Sequence, residues 1–305
     1  FMYQQSSLNH LCAHPNFNVI KGDVRDKEKM LPLLKNADII IPLAALVGAP
    51  LCKFDPVGAT TINKDAIFMM LDNVSKEQRI IMPTTNSAYG SGDKNNYCTE
   101  ESPLSPISKY AIDKVEVEKR LMEHPNAISY RLATVFGMSP RMRIDLLVND
   151  FTYKAITDKY IVVFEKTFKR NFIHIEDVAS AFLFMLQNYD TYKGEVFNVG
   201  LSDANLNKQE LLETIQKHVP NFAVSYNDFY EDPDKRNYIV SNEKIESTGW
   251  KPEWSLDRGI KQLIMGYQMI VPKMGAEFRN GFPLDRKSTR LNSSHIPLSR
   301  MPSSA

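Results

Sequence analysis

Short apolar runs that alternate with helix-length amphipathic stretches constrain this chain more than any other feature. The runs are Phe17 to Ile20, Ile39 to Leu43, Arg79 to Met82, Ile128 to Leu132 and Val196 to Val199. Between them lie helical patterns at Lys27 to Lys35, Ala66 to Val74, Tyr110 to Met122 and Glu176 to Leu186. Short runs without strict alternation read as strands covered on both faces, and helices between them act as crossovers, which makes the sheet parallel. The expected fold is α/β, a doubly wound parallel sheet. From about Val135 the alternation loosens, and Leu211, Leu212, Ile215 and Val219 mark a later helix. The expected organisation is a cofactor-type sheet domain over 1–165, mixed segments over 166–275 that complete the sheet and form a smaller C-terminal substrate-binding lobe, and a tail at 286–305. That tail is serine-rich, with no apolar period of either kind, and reads as disordered or foreign to the fold.

Charge narrows the function classes. With 37 Lys+Arg against 36 Asp+Glu, the net charge of +1 gives no broad cationic field for nucleic acid or an anionic membrane surface. No apolar run reaches the length of a bilayer span. Three cysteines, Cys12, Cys52 and Cys98, lie far apart without Cys-x-x-Cys spacing. Neither a disulfide framework nor a metal site is expected, and a cytoplasmic location fits this cysteine usage.

Two segments carry chemistry. Tyr110 and Lys114 stand at i and i+4 on one helix face, where an ammonium stabilises phenolate and makes tyrosine a plausible acid/base. The same pattern occurs at Tyr189 and Lys193, in a short polar segment ending at Gly194 that reads as a loop. Tyr110 opens an amphipathic helix and is the stronger candidate. Upstream, Ile80 to Pro83 runs into Thr84-Thr85-Asn86-Ser87-Ala88-Tyr89-Gly90, placing hydroxyls at the carboxyl end of a buried strand, the edge where open α/β sheets bind ligands. Thr85 and Ser87 could equally satisfy turn backbone. Together, a strand-end hydroxyl and a Tyr/Lys helix present a hydrogen-bond donor and a general acid/base to one carbonyl or alcohol.

Thr85-x-x-x-Tyr89-Gly90, with Tyr110-x-x-x-Lys114 following, resembles the extended short-chain dehydrogenase/reductases of the NAD-dependent epimerase/dehydratase family, which modify nucleotide sugars on a Rossmann-like fold. Further segments agree: Lys21 to Val24, Leu43-Ala44-Ala45, Ile62-Asn63, Arg170 to Ile175, Phe197 to Gly200 and Gly249 to Pro252. Within the family, IPLAALVGAPLC, TTNSAYG, RLATVFGMSPRMR, LLVNDFTY and EDPDKR are similar to the branch that oxidises C4 of GDP-heptoses in capsule-sugar pathways.

The resemblance implies roles residue by residue. Tyr110 is the base that takes a sugar hydroxyl proton while C4 gives hydride to NAD, Lys114 tunes Tyr110 and binds the nicotinamide ribose, and Thr85 holds the reacting oxygen. Asp23 and Val24 approach the adenine, Ala44 and Ala45 the cofactor backbone, and Asn63 supports the cofactor site. Asp23 could instead cap the helix near Asp26, and Ala44 and Ala45 could simply be small for close packing. Arg170 and Arg236 are expected on the nucleotide diphosphate, for which the guanidinium fork is suited. Arg141 and Arg143, in a loop after a strand, could face the same anion, and Asn86, Ser87 and Asn149 complete the implied sugar-nucleotide site. His174 is expected to be structural. A homodimer through the Tyr110 helix is implied, although Ile112, Val115 and Val117 could equally face the sheet.

Departures from the family pattern narrow it further. Members that eliminate water carry an Asp-Glu pair after the threonine; Asn86-Ser87 supplies no carboxylate, which disfavours dehydration. Thr134 stands where many relatives have a substrate-binding asparagine. The glycine-rich pyrophosphate turn is not among the 305 residues. Alignment to the family pattern implies that the first βαβ portion, about 35 residues, is missing ahead of Phe1 and that the sheet is cut between the Phe17 and Ile39 strands. The chain as written is then expected neither to fold stably nor to turn over. A soluble, cooperatively melting monomer contradicts that expectation.

Overall fold

The structure is a computed structural model and describes residues 5–91, 96–227 and 236–270. Its centre is a four-stranded parallel sheet of β1 (Ile39–Ile40), β2 (Arg79–Thr85), β3 (Ala127–Leu132) and β7 (Val196–Val199), in that spatial order. β2 and β3 are buried along nearly their whole length and pair in register from Ile80 with Ala127 to Thr85 with Leu132. Burial on both faces follows from unbroken apolar sequence, and the helices supply the cover. α2 (Ala49–Phe54), α3 (Pro56–Thr60), a π-helical turn (Thr61–Asp65) and α4 (Ala66–Leu71) cross from β1 to β2, and α5 (Lys109–Leu121) crosses from β2 to β3.

Local chemistry sets the helix starts. Asp26 caps α1 (Lys27–Lys35) by accepting from the Lys29 amide at 3.1 Å, and Ser108 caps α5 by accepting from the Ala111 amide at 3.2 Å. On α5, Val115 and Val117 face inward, Val117 packing with Ile67, Met70, Ile80 and Leu121, while Ile112 remains 37% exposed.

Later segments build the second part. β4 (Thr134–Phe136), β6 (Lys169–His174) and β8 (Asn205–Asn207) form one small sheet, and β5 (Tyr160–Phe164) pairs in parallel with β9 (Ala223–Asn227). α6 (Leu147–Thr157), α9 (Lys208–Gln216) and α11 (Leu256–Ile270) close a core containing Phe136, Phe151, Phe172, Leu211, Ile260 and Tyr267. α7 (Ile175–Gln187), α8 (Tyr189–Tyr192) and α10 (Glu243–Ser247) complete the described α-helices, with Tyr130, Ile173, Met185, Phe197 and Trp250 in the core beneath them. No described helix is long and apolar enough to cross a membrane.

Two expectations change. Phe17 to Ile20 is not a strand: it pairs with no described strand, and Val19 and Ile20 are 58% and 59% exposed. An apolar run becomes a strand only where a neighbour supplies the ladder, and none does here. The segment around Tyr189 is not a loop but the single-turn α8. The Tyr189 ring is buried, its hydroxyl accepts from the Ile80 amide at 2.8 Å and lies 2.6 Å from the Asn126 carbonyl, and it ties β2 to the start of β3. The expected tail at 286–305 lies outside the described residues.

Candidate active site

β2 ends at Thr85, and the chain turns at once through a 3-10 segment, Asn86–Tyr89. The Thr85 hydroxyl accepts from the Ser87 amide at 3.1 Å and lies near enough to the Tyr110 hydroxyl to lower its pKa, so the turn-stabilising and site-forming roles coexist in one side chain. Gly90 closes the turn at φ +64°, where a Cβ would collide with the Ser105 carbonyl oxygen. Tyr110, on the first turn of α5, is half-buried over the sheet's carboxyl edge.

Electrostatics around Tyr110 oppose one another. Burial raises its phenol to about 12 against the downward pull of the Arg143 and Arg236 guanidiniums and the Thr85 hydroxyl. The downward influences expected from Lys114 thus come from two arginines and a threonine. Lys114 itself is 5% exposed, and its ammonium donates to the Pro83 carbonyl at 3.1 Å.

Burial lowers the Lys114 pKa to about 8, against about 10.4 in an unfolded chain. Below about 8 both states hold the proton, and burying the charge costs stability. As pH rises from there, the native state releases its proton first, and the cost fades. Lys114→Met is therefore expected to be more stable than wild type at neutral pH by on the order of 1–3 kcal/mol, the gap closing toward pH ~10. Urea unfolding at both pH values measures this; equal stability at neutral pH contradicts it.

The remaining predicted residues divide into three groups. Asn63 clamps the loop after β1, its amide accepting from the Leu46 backbone N–H and donating to the Leu46 carbonyl, both at 2.8 Å. On that loop Ala44 is exposed and Ala45 half-buried, so Ala44 is not small for close packing. Asp23 caps no helix; its carboxylate pairs with Arg25 at 2.6 Å, which lowers its pKa to about 2, and Val24 beside it is half-buried. Cys52, unremarked among the site candidates, packs under Asn63 with its thiol pushed up to about 11 by burial, which keeps it protonated.

On the opposite side, Arg236 donates to the Ser87 hydroxyl, and Arg143 pairs with Asp145 at 2.5 Å with its guanidinium near Gly48. Arg141 is half-buried on the same loop, its carbonyl accepting from Ser139 at 2.8 Å. Asn149 is buried, accepts from the Gly137 amide at 3.1 Å and donates to the Arg143 carbonyl at 2.9 Å, so both ends of its amide hold the arginine loop. Arg170 is 6% exposed on β6, with its guanidinium over the Tyr238 ring at 5.7 Å and donating to the Lys169 carbonyl at 2.9 Å. Asn86 is 1% exposed, and neither its amide nitrogen nor its oxygen has a hydrogen-bond partner among the described residues. His174 caps α7, stacks on Trp254 at 3.9 Å and bonds Gln262 at 2.8 Å.

Sequence reasoning missed Glu118 and Arg131, a buried ion pair at 2.7 Å behind Thr85. The available signal was Glu118's place at i+8 from Tyr110, a charge on the inward face of the helix.

Comparison with known proteins decides the family. The sequence model of the NAD dependent epimerase/dehydratase family matches residues 3–200. The chain belongs to this family. Its cofactor is NAD, and Tyr110 and the buried Lys114 ammonium, which has donors beyond the one given to Pro83, form a donor set that fits a nicotinamide ribose. Among curated relatives, the low-salt glycan biosynthesis protein Agl12 of Haloferax volcanii is 28% identical over 272 residues, covering 83% of each chain. Among solved structures, dTDP-glucose 4,6-dehydratase of Bacillus anthracis with NAD superposes at a TM-score of 0.72 and 21% identity, covering 86% of this chain and 84% of that one. UDP-glucose 4-epimerase of Thermus thermophilus with NAD gives 0.72 at 19% identity, covering 86% and 90%.

Proposed function

We propose that this family member oxidises C4 of a nucleotide-activated sugar, the Thr85–Tyr110–Lys114 constellation performing the proton chemistry. The observation that carries the reading is the placement of the Thr85 and Tyr110 side chains together at the end of a parallel strand, beside a buried ammonium. Bound NAD supplies the hydride acceptor. Thr85 holds the sugar hydroxyl, Tyr110 removes its proton, and Lys114 orients the ribose side of the site. Arg143 and Arg236 offer positive charge to a diphosphate and, in the same place, ease ionisation of Tyr110. Asn86 and Ser87 supply no carboxylate next to Thr85, so elimination of water after oxidation lacks its acid and base. Likeness of the IPLAALVGAPLC and RLATVFGMSPRMR segments to the GDP-heptose branch makes a GDP-heptose the first substrate to try.

The test is product mass after incubation with NAD and GDP-heptose, GDP-mannose or UDP-glucose, using the 305-residue chain and a form extended by a glycine-rich βα segment ahead of Phe1. Loss of two hydrogens by either form supports the 4-keto product. A new isomer of unchanged mass replaces the reading with a 4-epimerase, the activity the Thermus relative is named for, and loss of water overturns the argument from Asn86-Ser87.

A further inference from the structure

α5 presents Tyr110, Lys114 and Glu118 at successive i+4 spacings, and β2 presents Pro83, Thr84 and Thr85 opposite them. Each of the three helix side chains engages a different one of the three strand residues. Lys114 donates to the Pro83 carbonyl at 3.1 Å, Thr84 donates to Glu118 at 2.8 Å, and Tyr110 lies beside Thr85, whose hydroxyl lowers its pKa. Glu118 also accepts from Ser129 at 2.8 Å and from Arg131 Nε at 3.0 Å and Nη2 at 2.7 Å. The far side of Arg131 donates to the Tyr89 hydroxyl at 3.0 Å and the Glu100 carbonyl at 2.9 Å, and Tyr89 lies 2.7 Å from Asn198 Oδ1. One buried network therefore runs from the acid/base helix, under the strand end, to the last residue of the Asn86–Tyr89 turn.

Such a pair is a poor way to gain stability, because desolvating two charges offsets much of their attraction and apolar residues of the same volume serve as well. What directional, fully satisfied polar contacts supply is register. We infer that Glu118 and Arg131 are positioning residues that, through Thr84 and Tyr89, fix where the Thr85 and Tyr110 hydroxyls stand relative to each other. They touch neither sugar nor cofactor. Their effect belongs to the chemical step, since a displacement on the order of 1 Å in reacting groups costs up to about 100-fold in rate while leaving binding nearly intact.

This inference rests on the acid/base reading of Thr85 and Tyr110, and its test separates the two. Thr84→Val removes one arm of the network at nearly constant volume and leaves the ion pair in place; Thr84→Ser restores the hydroxyl. The expected result is a kcat about tenfold lower in Thr84→Val, with KM for the sugar nucleotide within about twofold, and recovery in Thr84→Ser. Hydrogen exchange, which needs no substrate, is read on peptides spanning 83–90: exchange there should rise about tenfold in Thr84→Val and Ser129→Ala while the thermal midpoint moves little. Glu118→Gln, if it folds, should show the same kcat loss more strongly. Unchanged exchange over 83–90 in both hydroxyl variants, or a kcat loss matched by an equal KM rise, overturns the inference. If wild type converts no sugar nucleotide, the proposed function fails, and the exchange data still decide the positioning role.

Discussion

Tyr110→Phe is expected to lower kcat by about 10² to 10⁴ while NAD and sugar-nucleotide affinities stay within about twofold. The substitution keeps the ring and removes only the hydroxyl beside Thr85, so a loss confined to kcat assigns the proton step to that oxygen. The environment also dictates pH dependence. Because burial raises the Tyr110 pKa and the Arg143 and Arg236 charges lower it, oxidation should accelerate as pH rises toward the point where the phenol ionises. Arg143→Met removes one lowering charge and shifts that rising limb to higher pH. Steady-state rates across pH check both statements; a Tyr110→Phe protein with wild-type turnover, or a limb moved to lower pH, contradicts them.

Arg131→Met is expected to destabilise the protein by about 3–5 kcal/mol, the largest stability effect of any single charge removal considered. Glu118 and Arg131 have side chains only 6% exposed, so the variant leaves a carboxylate buried with two hydroxyls and no counter-charge. Arg79 pairs with Asp190 at 3.1 Å, but both are well exposed, and removing it should cost less than about 1 kcal/mol. Combining Arg131→Met with Glu118→Leu should recover most of the stability, because the price of a buried pair falls chiefly on the charge left alone. Urea unfolding of the four proteins measures this. An Arg131→Met loss no larger than that of the Arg79 variant refutes the buried-pair account.

Which features were legible in the sequence follows the range of the interaction that fixes them. β2, β3 and β7 announced themselves as apolar runs, and α1, α5, α7 and α9 by their period, because each is decided within a few residues. Phe17 to Ile20 carried the same local signal and is not a strand, since pairing depends on a neighbour elsewhere in the chain. Tyr189 looked like part of a polar loop, and only the fold brings its hydroxyl to Ile80, 109 residues away. The same holds at the site. Thr85 and Tyr110 were readable from motif spacing, whereas the engagement of Asn149 by Gly137 and Arg143, the pairing of Asp23 with Arg25, and the burial of Glu118 against Arg131 arise from loop closure and packing that no local pattern encodes.

Deuterium placed at C4 of the sugar nucleotide tests the central claim most directly, because it follows the transferred atom itself. The account predicts that deuterium appears on the nicotinamide, in released NADH or transiently in bound cofactor, and that Tyr110→Phe suppresses its appearance. Deuterium that stays on C4 throughout conversion, with none passing through the cofactor, would show that the Thr85–Tyr110–Lys114 site does not carry out hydride transfer from that carbon.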